Sequence, residues 1–227
     1  EKEIVNLKKI TNNTIRPSMG IIGGSKISTK IKVLNNLAKN LDYLVIGGAM
    51  ANTFLAAKGY ELESSLVEKK LYNEVHKIEQ LALKKGCKLI LPTDVVTSFN
   101  LKDINNIKNC KLNNIEKNRM VLDIGRDSCN YIINLLNKVK TVLWNGPLGA
   151  FEYKPFDYST IKVGKKLAVK ARKNNINVVI GGGDTLAALK NLDLNNKYTY
   201  ISTSGGAFLE WFEGKELPGI KALNNKN

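Results

Sequence analysis

The residues best suited to chemistry in this chain gather in short glycine-rich stretches. Asn177-Val178-Val179-Ile180 runs into Gly181-Gly182-Gly183, then Asp184 and Thr185, then Leu186–Lys190. A short β-branched apolar run reads as a buried strand, and the stretch after Thr185 reads as a helix. The glycines between them let the backbone turn sharply and let a ligand approach the main chain. Free N–H groups at a helix start carry partial positive charge, so this junction suits a phosphate. Asp184 either caps the helix or holds a magnesium ion that rides on the phosphate. A second stretch is Gly23-Gly24-Ser25-Lys26, with Lys30 four residues beyond. Taken as one helix, that spacing puts both ammonium groups on one face just after the glycines. A lysine at a helix start is unfavourable unless an anion is present, which points Lys26 towards function. In a third stretch, Asn145-Gly146-Pro147-Leu148-Gly149, the nearby Glu152 either hydrogen-bonds ribose hydroxyls or simply faces solvent.

Strands and helices must position these stretches. Ser18–Ile22, Leu41–Ile46, Cys87–Leu91, Met120–Ile124, Thr141–Trp144, Asn177–Ile180 and Tyr198–Ser202 read as strands, with Val95-Val96 a β-like continuation of the third. Helices are expected at Glu1–Thr11, Ile27–Asn40, Met50–Lys58, about Ser65–Lys85, Ser128–Lys138, Asp157–Lys173 and Ala207–Phe212. The weakly periodic, Asn- and Lys-rich Leu101–Arg119 reads as loop with a short excursion. Strands that are apolar throughout, alternating with helices, predict an α/β fold: a doubly wound, mostly parallel six-stranded sheet with helices on both faces, Rossmann-like. In such folds ligands sit beyond the C-terminal strand ends, near the topological switch point. The glycine clusters at 23–24, 47–48, 146, 181–183 and 205–206 all fall at strand ends.

Composition narrows the chemistry. With one histidine, His76, mid-helix among Glu74, Lys77 and Glu79, neither a His-centred zinc cluster nor a Ser–His–Asp triad is expected. No Walker loop and no Gly-x-Gly-x-x-Gly opens a strand–helix unit, which removes support for a P-loop enzyme or a dinucleotide dehydrogenase. Cys87, Cys110 and Cys129 are odd in number and form no Cys-x-x-Cys pair, so a reducing, cytoplasmic setting is expected. A formal charge of +15 calls for an anionic partner. No basic block interleaves with aromatics, so small phosphorylated metabolites are expected ahead of nucleic acid. No run approaches the length of a membrane span and no signal peptide is visible. The first residues, Glu1-Lys2-Glu3, lead us to expect a piece of a longer protein.

Ordered motifs then carry a family resemblance. Ile22-Gly23-Gly24-Ser25-Lys26-Ile27-Ser28-Thr29-Lys30-Ile31 resembles the first motif of the C-terminal domain of phosphoglycerate kinases. Gly47-Gly48-Ala49-Met50-Ala51-Asn52-Thr53-Phe54, Leu91–Val96, Leu122-Asp123-Ile124-Gly125, Val142–Glu152, Gly181–Thr185 and Ile201–Ala207 are similar to its later landmarks, in order. Glu216–Leu223 is similar to the terminal segment. The resemblance implies reversible phosphoryl transfer between 1,3-bisphosphoglycerate and magnesium ADP, giving 3-phosphoglycerate and ATP. It implies that Gly24, Ser25, Lys26 and Lys30 meet the nucleotide phosphates, with Lys26 following the group in flight. Asn145 would lie along the phosphate chain, Glu152 would bind the ribose, and Gly182, Gly183, Asp184 and Thr185 would hold phosphates and Mg2+, Asp184 as metal ligand. Gly47, Gly48, Leu122 and Pro147 would line the adenine slot, and Gly205 and Gly206 would stabilise the transferring group.

Phosphoryl transfer is mostly positioning and charge neutralisation, which agrees with a chain rich in lysines and glycine turns. The sequence departs from the family pattern at Ser204, Phe208, Ala49 and Val121, and Ser204 adds a side chain beside the expected transfer point. The expected organisation is an interdomain helix over 1–14, a nucleotide-binding domain over 15–223 and a tail over 224–227. The phosphoglycerate-binding N-terminal domain has no counterpart in the chain. The expected partners are adenine nucleotide and, through that missing domain, the phosphoglycerates. Neither nucleic acid nor membrane is expected, and the chain is expected to be a monomer. The alternative is a stand-alone adenine-nucleotide-binding module without kinase activity.

Overall fold

A computed structural model describes residues 14–173, 175–190 and 198–202. Along the chain it forms β1 (Ser18–Ile22), α1 (Ile31–Asn40), β2 (Tyr43–Ile46), α2 (Gly48–Ala57), α3 (Tyr72–Lys85) and β3 (Lys88–Ile90). There follow β4 (Asp94–Ser98), β5 (Lys108–Lys111), β6 (Met120–Ile124), α4 (Arg126–Leu135), β7 (Thr141–Asn145), α5 (Tyr158–Arg172), β8 (Asn177–Gly181), α6 (Gly183–Leu189) and β9 (Tyr200–Ser202). Six strands pair in the order β3-β2-β1-β7-β8-β9, every pair parallel. Successive strands spread outward in both directions from β1 and β7, which makes that pair the switch point.

The apolar runs follow from burial on both faces. Ile22, Leu44, Ile46, Leu143 and Val179 pack against α1, α2 and α3 through Leu34, Leu37, Phe54, Val75 and Ile78. Met19, Ile21, Val142, Trp144, Val178 and Ile180 pack on the opposite face against α4 and α5 through Cys129, Ile132, Val163 and Leu167. The expected six-stranded, mostly parallel sheet with helices on both faces is therefore present.

One expected member is elsewhere. β6 does not join the large sheet; it pairs antiparallel with β4, which also pairs antiparallel with β5, forming a second sheet in the order β5-β4-β6. Val95-Val96 thus belongs to a separate strand, not to a continuation of β3. The expected loop 101–119 contains β5, whose side chains are mostly exposed and so carry no apolar pattern to read. Arg119 holds this sheet from inside. Its guanidinium is buried, donates to Thr97 Oγ1 at 2.9 Å, the Thr97 carbonyl at 3.1 Å and the Asn106 carbonyl, and stacks 4.7 Å from the Phe99 ring.

Helix starts also differ. α1 begins at Ile31 and not at Ile27, and α3 begins at Tyr72, after a 3-10 turn over Lys69–Leu71, not near Ser65. α4 begins at Arg126, two residues before the expected Ser128, because Asp94 of β4 accepts from the N–H groups of Asp127 at 3.0 Å and Ser128 at 2.8 Å. His76 is exposed on α3, its Nδ1 3.5 Å from Glu79. The three cysteines are free. No helix among the described residues is long and apolar enough to cross a membrane. The expected helices at Glu1–Thr11 and Ala207–Phe212, the expected roles of Gly205 and Gly206, and the departures at Ser204 and Phe208 lie outside the described residues.

Candidate functional site

The loops leaving β1, β2 and β7 are laced together by backbone hydrogen bonds at the switch point. Gly23 N donates to the Asn145 carbonyl (2.9 Å), Gly24 N to Pro147 (3.1 Å), Gly47 N to Ile22 (2.9 Å) and Gly48 N to Leu148 (2.9 Å). Met50 N, in the first turn of α2, donates to the Gly24 carbonyl at 3.0 Å. The start of α2 therefore spends first-turn donors on a neighbouring loop. This lacing requires glycine where main chains cross. A Cβ on Gly23 would collide with the Pro147 carbonyl, and one on Gly47 with the Leu148 side chain.

Lys30 is at the centre of the lacing. Its Nζ donates to the Gly23 carbonyl at 2.7 Å and to Asn145 Oδ1 at 2.7 Å, and lies 3.4 Å from the Asn145 carbonyl. Asn145 is buried and passes the connection on, its Nδ2 donating to the Gly181 carbonyl at 3.1 Å. Burial lowers the Lys30 pKa from 10.5 to about 8, although the Asp184 carboxylate pulls it back up. The folded chain therefore releases this proton before the unfolded chain does. Enclosing the charged form costs stability below about pH 8, and that cost is relieved as pH rises between about 8 and 10.5.

At the end of β8, Gly182 occupies the N-cap position of α6 with φ 96°, a conformation that favours glycine, and no side chain caps the helix. Asp184 is thus inside the first turn and is not the cap; it is exposed, where its charge complements the helix dipole. Gly183 beside it is exposed too. The buried Thr185 hydroxyl accepts from Gly146 N at 2.6 Å and donates to the Gly181 carbonyl at 3.0 Å, so it joins the loops after β7 and β8.

The one-face helix expected for Lys26 and Lys30 is not formed. Lys26 is exposed and outside any helix, and Lys30 is the N-cap residue of α1. The intervening turn is capped from far along the chain by Glu68. One carboxylate oxygen accepts from the N–H groups of Ile27 (2.6 Å) and Ser28 (3.2 Å), and the other from the Ser28 hydroxyl (2.6 Å). These donors face a fixed carboxylate and not a growing helix.

Above the lacing is a cavity of about 300 Å³. Gly24, Ser25, Gly48, Pro147 and Asp184 line it from the large sheet, Leu122 from β6, and Glu152 sits exposed on its rim. Lys26, Lys30, Gly47, Asn145, Gly182, Gly183 and Thr185 do not line it; Lys30, Gly47, Asn145 and Thr185 hold the loops together by hydrogen bonds. Sequence reasoning missed Leu66, Leu101, Met120 and Phe151, which complete the apolar wall. It also missed Asn52, one turn beyond Gly48 on α2, buried beneath the slot with neither polar side-chain atom paired. Leu66 stood at the start of the helix expected from about Ser65, which begins only at Tyr72, and half-buried Leu101 stood in the expected loop, so neither had a face pointing to a site. A larger cavity of about 600 Å³ lies at the edge of the sheet, beside β3 and the residues that follow it, away from the β1–β7 switch point. Its lysines Lys58, Lys88 and Lys111 are committed to Glu79, Tyr131 and Asp127, so the switch-point cavity is the better candidate.

A family model described as Phosphoglycerate kinase matches residues 1–215. The phosphoglycerate kinase of Zymomonas mobilis is 43% identical over 223 residues, covering 98% of this chain and 56% of that protein. That of Rhizobium meliloti is 44% identical over 227 residues, covering 100% of this chain and 57% of that protein. The solved structure of phosphoglycerate kinase from Coxiella burnetii aligns with a TM-score of 0.93 at 36% identity, over 99% of this chain and 57% of that one. The chain thus spans little more than half the length of the relatives it matches. A parallel sheet that changes direction at a glycine-laced pair of strands, and a match over nearly every residue, lead to one conclusion: the chain belongs to the phosphoglycerate kinase family.

Proposed function

We propose that this chain binds an adenine nucleotide with magnesium in the switch-point cavity. In the whole protein it would serve reversible phosphoryl transfer between 1,3-bisphosphoglycerate and ADP, giving 3-phosphoglycerate and ATP. The observation that carries this reading is the cavity itself: an apolar wall from β6 on one side, and the Gly24, Ser25 and Gly48 backbone with Asp184 on the other. The base would lie between Leu122, Pro147 and Gly48, with Gly47 behind, and Glu152 would reach the ribose. The phosphates would extend over Gly24 and Ser25 towards Lys26, Lys30 and the Gly182-Gly183 turn. Lys26, exposed and free to swing, suits a charge that follows a moving group. Gly205 and Gly206 would assist at the transfer point.

Among the described residues no three His, Cys, Asp or Glu side chains come together. Asp184 on the rim suits a magnesium held by one carboxylate and phosphate oxygens, the usual manner for nucleotide-bound Mg2+. When bound, the metal neutralises phosphate charge. The phosphoglycerate is assigned to a part of the protein outside these 227 residues, joined through 1–14, with 15–223 as the nucleotide domain. A cytoplasmic monomer without nucleic-acid or membrane partners completes the reading. The chain alone is expected to bind ADP and to turn over little; turnover at a normal kinase rate would place the whole activity in these residues.

Calorimetry of ADP binding with magnesium and with a chelator tests the site directly. Magnesium is expected to strengthen binding to the wild type distinctly more than to Asp184→Asn. An equal magnesium effect in both proteins would remove Asp184 as a metal ligand, and no nucleotide binding at millimolar ligand would reject the reading.

The lowered Lys30 pKa adds a pH signature. Above about pH 8 the free protein carries neutral Lys30, so binding a phosphate there requires proton uptake. ADP affinity is expected to fall between pH 7 and 9, by at most about tenfold per pH unit, and the fall should flatten in Lys30→Met. The same slope in both proteins would mean that Lys30 does not sense the phosphate.

A further inference from the structure

Residues 65–68 form a strap between the two parts of the cavity, and each residue in it has a separate attachment. Ser65 Oγ accepts from Val121 N at 2.8 Å, which ties the strap to β6, the wall of the slot. Leu66 is 44% exposed and lines the cavity. Val67 packs on the small core of Leu55, Leu62, Val95 and Leu112 beneath the second sheet. Glu68 turns the other way. Its backbone N–H donates to Thr53 Oγ1 on α2 at 3.1 Å, and its carboxylate accepts from Ile27 N, Ser28 N and Ser28 Oγ. Inside the same turn, Lys30 N donates to the Ile27 carbonyl at 2.8 Å and Thr29 Oγ1 to the Lys26 carbonyl at 2.9 Å. The conformation of the whole Lys26–Lys30 turn is therefore referred to one carboxylate.

We propose that Glu68 is a positioning residue for phosphate recognition: through the 65–68 strap it holds the lysine turn in register with the base slot. The inference rests on the nucleotide reading above. A charged acceptor with three donors is a strong local restraint. It also occupies the Ile27 and Ser28 N–H groups, which leaves the lysine side chains, and not those amides, to meet an anion. Removing the carboxylate frees the turn without touching Leu122, Pro147 or Gly48, so phosphate and base recognition separate.

The test compares wild type, Glu68→Ala and Glu68→Gln in the 227-residue chain. Glu68→Ala is expected to weaken magnesium ADP roughly tenfold while leaving adenosine affinity unchanged. Glu68→Gln keeps one carbonyl acceptor for the amides and can donate to Ser28 Oγ, so it should recover most of the loss. Equal losses for ADP and adenosine, or no loss for ADP, would overturn the proposal. Amide hydrogen exchange without ligand keeps the two readings apart. Ile27 and Ser28 should exchange faster in Glu68→Ala while β1 stays protected. Unchanged exchange there would sink the positioning role whether or not nucleotide binds, whereas faster exchange with no nucleotide binding by the wild type would sink only the nucleotide reading.

Discussion

Gly146→Ala is expected to destabilise the chain by roughly 3 kcal/mol and to abolish nucleotide binding. Two costs add at this position. Gly146 has φ 93°, a conformation that carries steric strain for any residue with a Cβ. The added methyl would also overlap the Gly23 carbonyl and lie 2.8 Å from Lys30 Nζ. The obstructing atoms are main chain and an enclosed ammonium, so neither can swing aside. Relief would require the loops after β1 and β7 to separate, breaking the Gly23–Asn145 and Gly24–Pro147 bonds and releasing Lys30. Urea unfolding gives the stability change and ADP calorimetry the loss of binding. A midpoint close to wild type with intact binding would mean that the two loops tolerate separation and do not form the site.

Asp94→Ala is expected to cost about 3–5 kcal/mol, the loss of a buried charged acceptor whose donors stay behind. Asp94 is fully buried at the start of β4. Its carboxylate accepts from Ser128 N (2.8 Å), Ser128 Oγ (2.5 Å), Asp127 N (3.0 Å) and Asn109 Nδ2 (3.1 Å). It thereby caps α4 and ties it to β4 and β5. Burial pushes the carboxyl pKa up, but the bonds from Ser128, Asn109 and Asp127 outweigh it and hold the value below the ordinary 3.8. The stabilisation is consequently complete above that ordinary value and is lost as pH falls through the lower folded one. Acid unfolding of wild type should show this loss, and Asp94→Ala should be flatter over the same range. Thermal or urea unfolding of the variant within about 1 kcal/mol of wild type would show that the four donors find other partners.

The sequence by itself determined the large sheet and the strand ends at which its glycine loops gather. β1, β7 and β8 are covered on both faces, and such burial appears in the chain as continuous apolar runs. The glycines after them mark the strand ends where main chains cross. The family motifs were equally legible, because the lysines, Asn145 and the Gly181–Thr185 corner stand in the family's order.

Tertiary structure decided the rest. Met120–Ile124 is as apolar as a strand of the large sheet, and only its pairing with β4 and the buried Arg119 assign it to a second sheet and make it the wall of the slot. Lys26 and Lys30 have helical spacing, yet Glu68, 41 residues from Ile27, takes the amides that would continue the helix. Lys30 points at Asn145, 115 residues away, because β1 and β7 are neighbours in the sheet. Asp184 can read as a cap until the backbone of Gly182 takes that position. A local pattern records which side chains are buried and which backbone angles are easy. Which distant donor meets which acceptor depends on strand order, and strand order is set by how all the apolar runs pack together.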